Sequence, residues 1–282
     1  CAFMLLAAAG APAQDYPTRP VRVLVPYTPG GITDLVTRIA AAELAKALNQ
    51  TFVVDNRPGA NSILAVDMVS KATPDGYTLG TVIAAHAANQ TLYAKLPYDS
   101  VKSFEHVSLL VTSPLIVCVT NSLPAKSINE LIELAKAKPG TLSFASSGIG
   151  AAAHLTTELF MSTTGIKMVH VPYKGTAPAL QDLIGGQINF MMDTPMPAML
   201  PQARAGKVRA IGMASDKRIS IAQDVPTLIE QGVQVTGGTW VAMLAPAHTP
   251  RAIVDKLSKV VGEAMRRADN RERFAQLGME PV

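Results

Sequence analysis

The chain has 282 residues, 48% of them hydrophobic and 16% charged, which is enough apolar content for a packed core and too much for a disordered chain. Its 25 Lys and Arg against 21 Asp and Glu leave a net charge of +4, and the basic residues are scattered. That balance fits a mild attraction for anions and excludes a nucleic-acid footprint.

Residues 1–14 are small and apolar up to Ala11-Pro12-Ala13, a small-residue cleavage pattern, and read as the remnant of a secretory signal peptide. No later apolar stretch is long enough to span a bilayer. The first strand is expected at Val21–Val25. It runs into Pro26-Tyr27-Thr28-Pro29-Gly30-Gly31 and then into a helix from Ile32, with Val36, Ile39, Ala40 and Leu44 at helical spacing. Residues 51–54 predict a strand, 63–72 a helix stopped by Pro74-Asp75-Gly76, and 77–83 a strand. The β-α-β-α-β order implies a parallel sheet with helices on its faces.

Residues 107–119 form a long apolar run, interrupted by Pro114, that could cross from one sheet to another. Within it Cys118 has apolar neighbours and reads as a small core residue. Ser127 with Glu130 marks a capped helix over 127–136. A second strand–loop–helix follows: 142–145 leads through Ser146-Ser147-Gly148-Ile149-Gly150 into a helix from Ala151. Strands at 168–171, 188–192 and 208–214, and a helix at 177–184, complete a second α/β block. Helices over 250–277 are expected on the first block. The division is then a first lobe of 15–112 and 224–282 and a second lobe of 113–223, with a cleft between them.

Each glycine loop aims unpaired N–H groups and the positive end of a helix at one point, which suits an anion. In open α/β sheets ligands sit beyond the carboxyl ends of strands, where both loops lie. The expectation is a clamshell in which the N–H groups of residues 30–33 and 150–152 meet one anion. Gly30 and Gly31 allow close backbone approach, and Tyr27 offers a ring wall and a phenol donor. Thr33 and Asp34 either cap the first helix or reach the ligand. His154 either steadies its loop or touches the ligand, and His86, after the third strand, could face the cleft. Asp193, with Thr194, either caps the next turn or reads a ligand hydroxyl or amino group. Trp240 reads as packing. The five histidines are dispersed, so neither a metal nor a cofactor is expected. No P-loop and no G-x-S-x-G elbow is present, which disfavours nucleotide binding and a serine hydrolase.

The chain resembles the periplasmic solute-binding receptors of tripartite tricarboxylate transporters, the Bug family. The resemblance rests on Pro26-Tyr27-Thr28-Pro29-Gly30-Gly31-Ile32-Thr33-Asp34, Asp55-Asn56-Arg57-Pro58-Gly59-Ala60, Pro74-Asp75-Gly76-Tyr77, Gly148-Ile149-Gly150 with His154, Val171-Pro172-Tyr173-Lys174-Gly175-Thr176 and Gly185-Gly186-Gln187. It implies an α/β, type II periplasmic binding-protein fold, a small organic carboxylate ligand, a membrane permease partner, a periplasmic location and a monomer. It also implies ligand contacts from the two loops, at Tyr27, Thr28, Gly30, Gly31, Ile32, Thr33, Asp34, Ser147, Gly150, Ala151, Ala152 and His154, to which the strand-end positions add His86, Asp193 and Thr194 as candidates. Family members usually carry Ser or Thr where Ala151 stands, and usually continue past Val282. A sensor-kinase adaptor with the same binding, and an enzyme acting on a small carboxylate, are the alternatives.

Overall fold

The structure, a computed structural model, describes residues 16–173 and 175–282. The expected signal remnant at 1–14 lies outside the described residues. Strand β1 (Val21–Val25) leads into helix α1 (Ile32–Leu48), which buries Val36, Ile39, Ala40 and Leu44 on one face. The helix ends at Asn49 in the left-handed conformation, a common stop. Strand β2 (Phe52–Asn56) returns parallel to β1, then α2 (Ile63–Ser70) and β3 (Thr78–Ile83) complete the expected parallel trio with β1 in the middle. A short helix, α3 (Ala85–Leu92), follows.

Strand β4 (Phe104–Thr120) is 17 residues long and serves two sheets. Its first part pairs with β9 (Gly238–Pro246), which lies antiparallel between β3 and β4. Its second part pairs with β7 (Phe190–Asp193) and β8 (Val208–Ala214). The register shifts twice along the β4–β9 pairing and once along β4–β8, and such irregularities bend a strand. The apolar run of residues 107–119 therefore crosses between sheets, as expected. The first sheet is mixed rather than all parallel, because β9 and β4 enter it antiparallel.

The second sheet adds β5 (Ser143–Ser146) and β6 (Val169–Pro172), joined by α5 (Ala152–Thr164), with α4 (Ile128–Ala137) before and α6 (Thr176–Ile184) after. Helix α7 (Leu200–Arg204) precedes β8. Helices α8 (Arg251–Arg266) and α9 (Ala268–Ala275) return to the first sheet, and β10 (Glu280–Pro281) pairs with β4. The full strand order is β2-β1-β3-β9-β4-β7-β5-β6, with β8 and β10 also on β4.

Each sheet is covered on both faces. Val21, Val23, Leu44, Leu257 and Phe274 pack one face of the first sheet, and Leu24, Val66, Val82 and Phe104 the other. In the second sheet successive residues of β4 part company: Val117 packs with Ile128, Phe144 and Phe160, while Ile116 and Cys118 pack with Leu180 and Met191. Cys118 is fully buried, and burial pushes its thiol up to about 12.

Val225, Leu228, Val233 and Val235 also belong to the second sheet's cores. A boundary at residue 224 would cut through that packing, so the return to the first sheet falls at Gly237 and Gly238. There the chain lies against Pro114: Leu115 N donates to Gly237 O at 3.3 Å. A Cβ on Gly238 would stand 2.5 Å from Ser113 O, so only glycine allows the two crossings to run this close.

Candidate functional site

Both glycine loops sit at the carboxyl ends of strands. After β1, Thr28, Pro29, Gly30 and Gly31 are exposed, and Gly30 adopts φ +88°. The loop is held from behind. The Asn56 amide donates to Tyr27 O at 3.0 Å, and the Gly30 N–H donates to Asp34 Oδ2 at 3.0 Å. Asp34 also accepts from Arg38 Nε and from the Asn56 amide, each at 3.0 Å. Burial opposes ionisation of Asp34, but Arg38, the Gly30 N–H and Asn56 outweigh it and hold the carboxyl below its ordinary value.

Expectations for Asp34, Gly30, Thr33 and Tyr27 change here. Asp34 is 4% exposed and braces the loop from within. The Gly30 N–H is spent on Asp34, so the N–H groups that α1 does not itself use begin at Gly31. Thr33 is buried and does not cap; the N-cap is Gly31, with no side-chain cap bond. Ile32 packs partly against the first core. The Tyr27 hydroxyl is buried beside Ser62 without a hydrogen-bond partner among the described residues, so it does not stand as a donor at the surface, and burial raises its pKa and keeps it protonated.

The second loop follows β5. The Gly150 N–H donates to His154 Nδ1 at 3.1 Å, and Ala151 N to Gly148 O at 3.2 Å. The first N–H groups left by α5 are therefore those of Ala152 and Ala153, not those of Gly150 and Ala151. His154 steadies the loop, one of its two expected roles. Its ring stacks on His170 at 4.1 Å, and His170 stacks on Phe144 at 4.7 Å. Ser146 Oγ lies 2.7 Å from His170 Nε2 and donates to Gly148 O at 3.1 Å. Burial, with His154 beside it, pushes His170 down to about 4.

Asp193, Thr194 and Ser147 come together at the ends of β7 and β5. Asp193 accepts from Thr176 Oγ1 at 2.8 Å and from Thr194 N at 2.7 Å, with the Ser147 hydroxyl alongside. Burial raises its pKa against the pull of these donors. The carboxyl thus organises the loop ends from within.

His86 does not join this group. It is 5% exposed, its Nε2 lies 3.0 Å from Ser100 O, and its ring packs on Tyr98 and Phe104. Burial lowers its pKa, so it sits neutral in the core. Trp240 lies partly buried on β9, packed beside the first sheet as expected.

Among the described α-helices only α4 carries a side-chain cap bond, so its absence at α1 and α5 does not by itself mark them. Helix α4 begins at Ser127, whose side chain accepts from Glu130 N at 3.2 Å. Helices α1 and α5 begin at Gly31 and Ala151 with no side-chain cap bond. A missing cap costs about 0.5–2 kcal/mol, and an anion bound at those termini would supply what the side chains do not.

The loops meet through residues that carry no sequence signal. Gly150, buried, lies against Leu92 and Asn61 of the first unit, and the Asn61 amide donates to Ile149 O at 3.4 Å. Asn61 adjoins Ser62, which adjoins Tyr27. A separate open depression of about 560 Å³ between α1 and β2, lined by Ala41, Ala45, Asn49 and Phe52, shares only Arg38 with this region. Among the described residues no three His, Cys, Asp or Glu side chains gather to hold a metal, and no helix is long and apolar enough to cross a membrane.

Residues 36–282 match the tripartite tricarboxylate transporter family receptor. The chain belongs to this receptor family. Protein BugT of Bordetella pertussis is 36% identical over 285 residues, covering 99% of this chain and 87% of that protein. Among solved structures, an R. palustris protein with adipate superposes with a TM-score of 0.88 at 36% identity, covering 95% of this chain and 90% of the other. MatC from Rhodopseudomonas palustris with bound malate gives a TM-score of 0.83 at 36% identity, covering 94% and 90%. The family and fold are those of solute-binding proteins. The receptor's two-sheet architecture with a shared strand is thus the type II periplasmic binding-protein arrangement that the sequence resemblance implies.

Proposed function

We propose that this receptor takes a small organic carboxylate between two lobes in the periplasm and presents it to the membrane subunits of a tripartite tricarboxylate-type transporter. One observation carries the reading: two helices on opposite sheets start uncapped at glycine loops, and those loops adjoin through Asn61 and Ser62. The lobes are residues 16–113 with 238–282, and 114–237, turning about Pro114 and Gly238. The adipate and malate bound by relatives support a carboxylate as ligand.

The anion meets the N–H groups of Gly31, Ile32 and Thr33 on one lobe and of Ala152 and Ala153 on the other. Thr28 and Ser147 stand at the loop margins as further donors. Ala151 supplies no hydroxyl, so the second loop binds through its backbone. Charge-assisted hydrogen bonds contribute about 1.5–3 kcal/mol each. Four of them give roughly 6–12 kcal/mol before the cost of association, against about 8 kcal/mol for micromolar binding. Neither lobe alone satisfies the anion, so binding favours closure. The receptor acts as a monomer, and the reading needs no catalytic group and no cofactor.

A thermal-shift panel of adipate, malate, citrate, a sugar and divalent metals tests this. Ligand at a hundredfold excess over its Kd adds about 2.7 kcal/mol, which raises the melting temperature by roughly 5–10 °C for a chain of this size. Gly31→Val should abolish the shift and keep the fold. Gly31 has φ −80° and ψ 173°, and a Cβ there meets nothing nearer than Thr28 O at 4.0 Å. A shift from the sugar or a metal alone would refute the reading.

A further inference from the structure

The peptide joining Ile149 to Gly150 is gripped from both lobes. Its N–H donates to His154 Nδ1 at 3.1 Å, within the second lobe. Its C=O accepts from Asn61 Nδ2 at 3.4 Å, on the first. A trans peptide points these groups in opposite directions, so the unit is strung between Asn61 and His154. Two residues further on, α5 begins with the N–H groups assigned above to the anion.

Asn61 is built for that contact. Ala60, Asn61 and Ser62 carry φ of +47°, +49° and +76°, three consecutive non-glycine residues in the left-handed region. Such a run persists only where the surroundings impose it. Here Asn89, fully buried, imposes it: its amide donates to Asn61 O at 2.9 Å, and its carbonyl oxygen accepts from Asn61 Nδ2 at 2.8 Å. One hydrogen of the Asn61 amide is thereby fixed inward, and the other is left for Ile149. Beside this contact Gly150, at φ +77°, has Leu92 Cδ1 occupying the place where a Cβ would stand. Glycine at 150 is required by its own positive φ, and the end of the Leu92 side chain on the opposite lobe adds a second reason.

We propose that Asn61 and Leu92 form a latch on the first lobe that receives Ile149 and Gly150, fixes how far the lobes close, and so sets ligand affinity without touching the ligand. The proposal rests on the carboxylate-receptor reading for its effect on affinity, but the latch itself needs no ligand. Because it favours the binding-competent arrangement, it raises the competent fraction of the free protein and lowers the apparent Kd by that factor. Asn61 and Leu92 are positioning residues.

Titration calorimetry with adipate and malate, paired with small-angle X-ray scattering of the ligand-free protein, tests this on four variants of the full chain. Gly150→Ala drives a methyl into Leu92 and should weaken binding by roughly tenfold or more and enlarge the radius of gyration. Leu92→Ala added to it reopens the space and should recover the part of both losses that the clash causes, leaving the part set by the positive φ. Asn61→Gly keeps the left-handed backbone while deleting the amide, and should weaken binding several-fold. Asn61→Gly placed on Gly150→Ala should add little, because both break one contact. Far-UV circular dichroism identifies any variant that fails to fold, and Asn61→Gly then decides alone. Wild-type binding and scattering by Asn61→Gly overturn the latch. If the wild type binds neither acid, the carboxylate reading is what suffers. Scattering then decides the latch: expansion in Gly150→Ala or Asn61→Gly supports it, and curves identical to wild type overturn it.

Discussion

Asp34 and His154 show why a residue's chemistry is not its role. Both stand beside a candidate anion site, and each spends its acceptor on the glycine N–H of its own loop. An acid next to an anion is tolerable when its charge is already answered, here by Arg38 on the following turn. His170 makes the pH behaviour testable. Its pKa falls from an ordinary 6.5 to about 4 in the fold, by burial and by the neighbouring His154. The unfolded chain therefore takes up a proton between pH 6.5 and 4 that the folded one refuses, so this contribution to stability drains away as pH falls through that window and levels off below it. His86, also lowered by burial, adds to the same slope. Urea midpoints measured from pH 7 to 4 should decline more steeply for the wild type than for His170→Gln; parallel curves would remove the assignment. The sequence marks Gly30, Gly31 and Gly150 through their local pattern. It cannot mark Asn61, because the contact with Ile149 joins positions 88 apart with no periodicity between them.

The elements that announced themselves are those with a local cause. Helix α1 carries its apolar stripe, and α4 carries its start signal. Ser127 receives Glu130 N as expected, while the Glu130 carboxylate accepts from Lys126 N rather than from the cap residue. Ser127→Ala should cost about 1 kcal/mol, read as a shift of the urea midpoint with unchanged slope. A loss near zero would mean that the Ile128 N–H, which donates to Gln231 Oε1 at 2.9 Å, holds the helix start by itself. Strand β9 had no such voice. Its place between β3 and β4 is decided by pairing with residues more than a hundred positions upstream, and the sequence suggests only a crossing nearby. The boundary at 224 departs from the packing for a related reason: residues 225–235 form no regular element beyond an isolated bridge at Thr227, and apolar side chains and backbone bonds to Met213 hold them on the second sheet. Helix α3 is eight residues long with His86 and Asn89 buried, too short and too polar for a helical stripe to stand out.

Two cores divided by a cleft would ordinarily melt in two steps. In this receptor β4 belongs to both sheets, and its residues 104–114 and 115–120 cannot be ordered independently without breaking one strand. Unfolding in urea should therefore be a single transition. Trp240, the sole tryptophan, reports the first sheet, and far-UV circular dichroism reports both. Coincident curves are the expected result, and two separated midpoints would show that β4 frays at Pro114. A ligand spanning both lobes would sharpen that unity by binding only the joined state.

The position of β9 also bears on the order in which the molecule can assemble. The centre of the first sheet waits for a segment that follows the whole second lobe along the chain. A polypeptide still emerging from the ribosome therefore cannot complete its first sheet before the second lobe is available to fold.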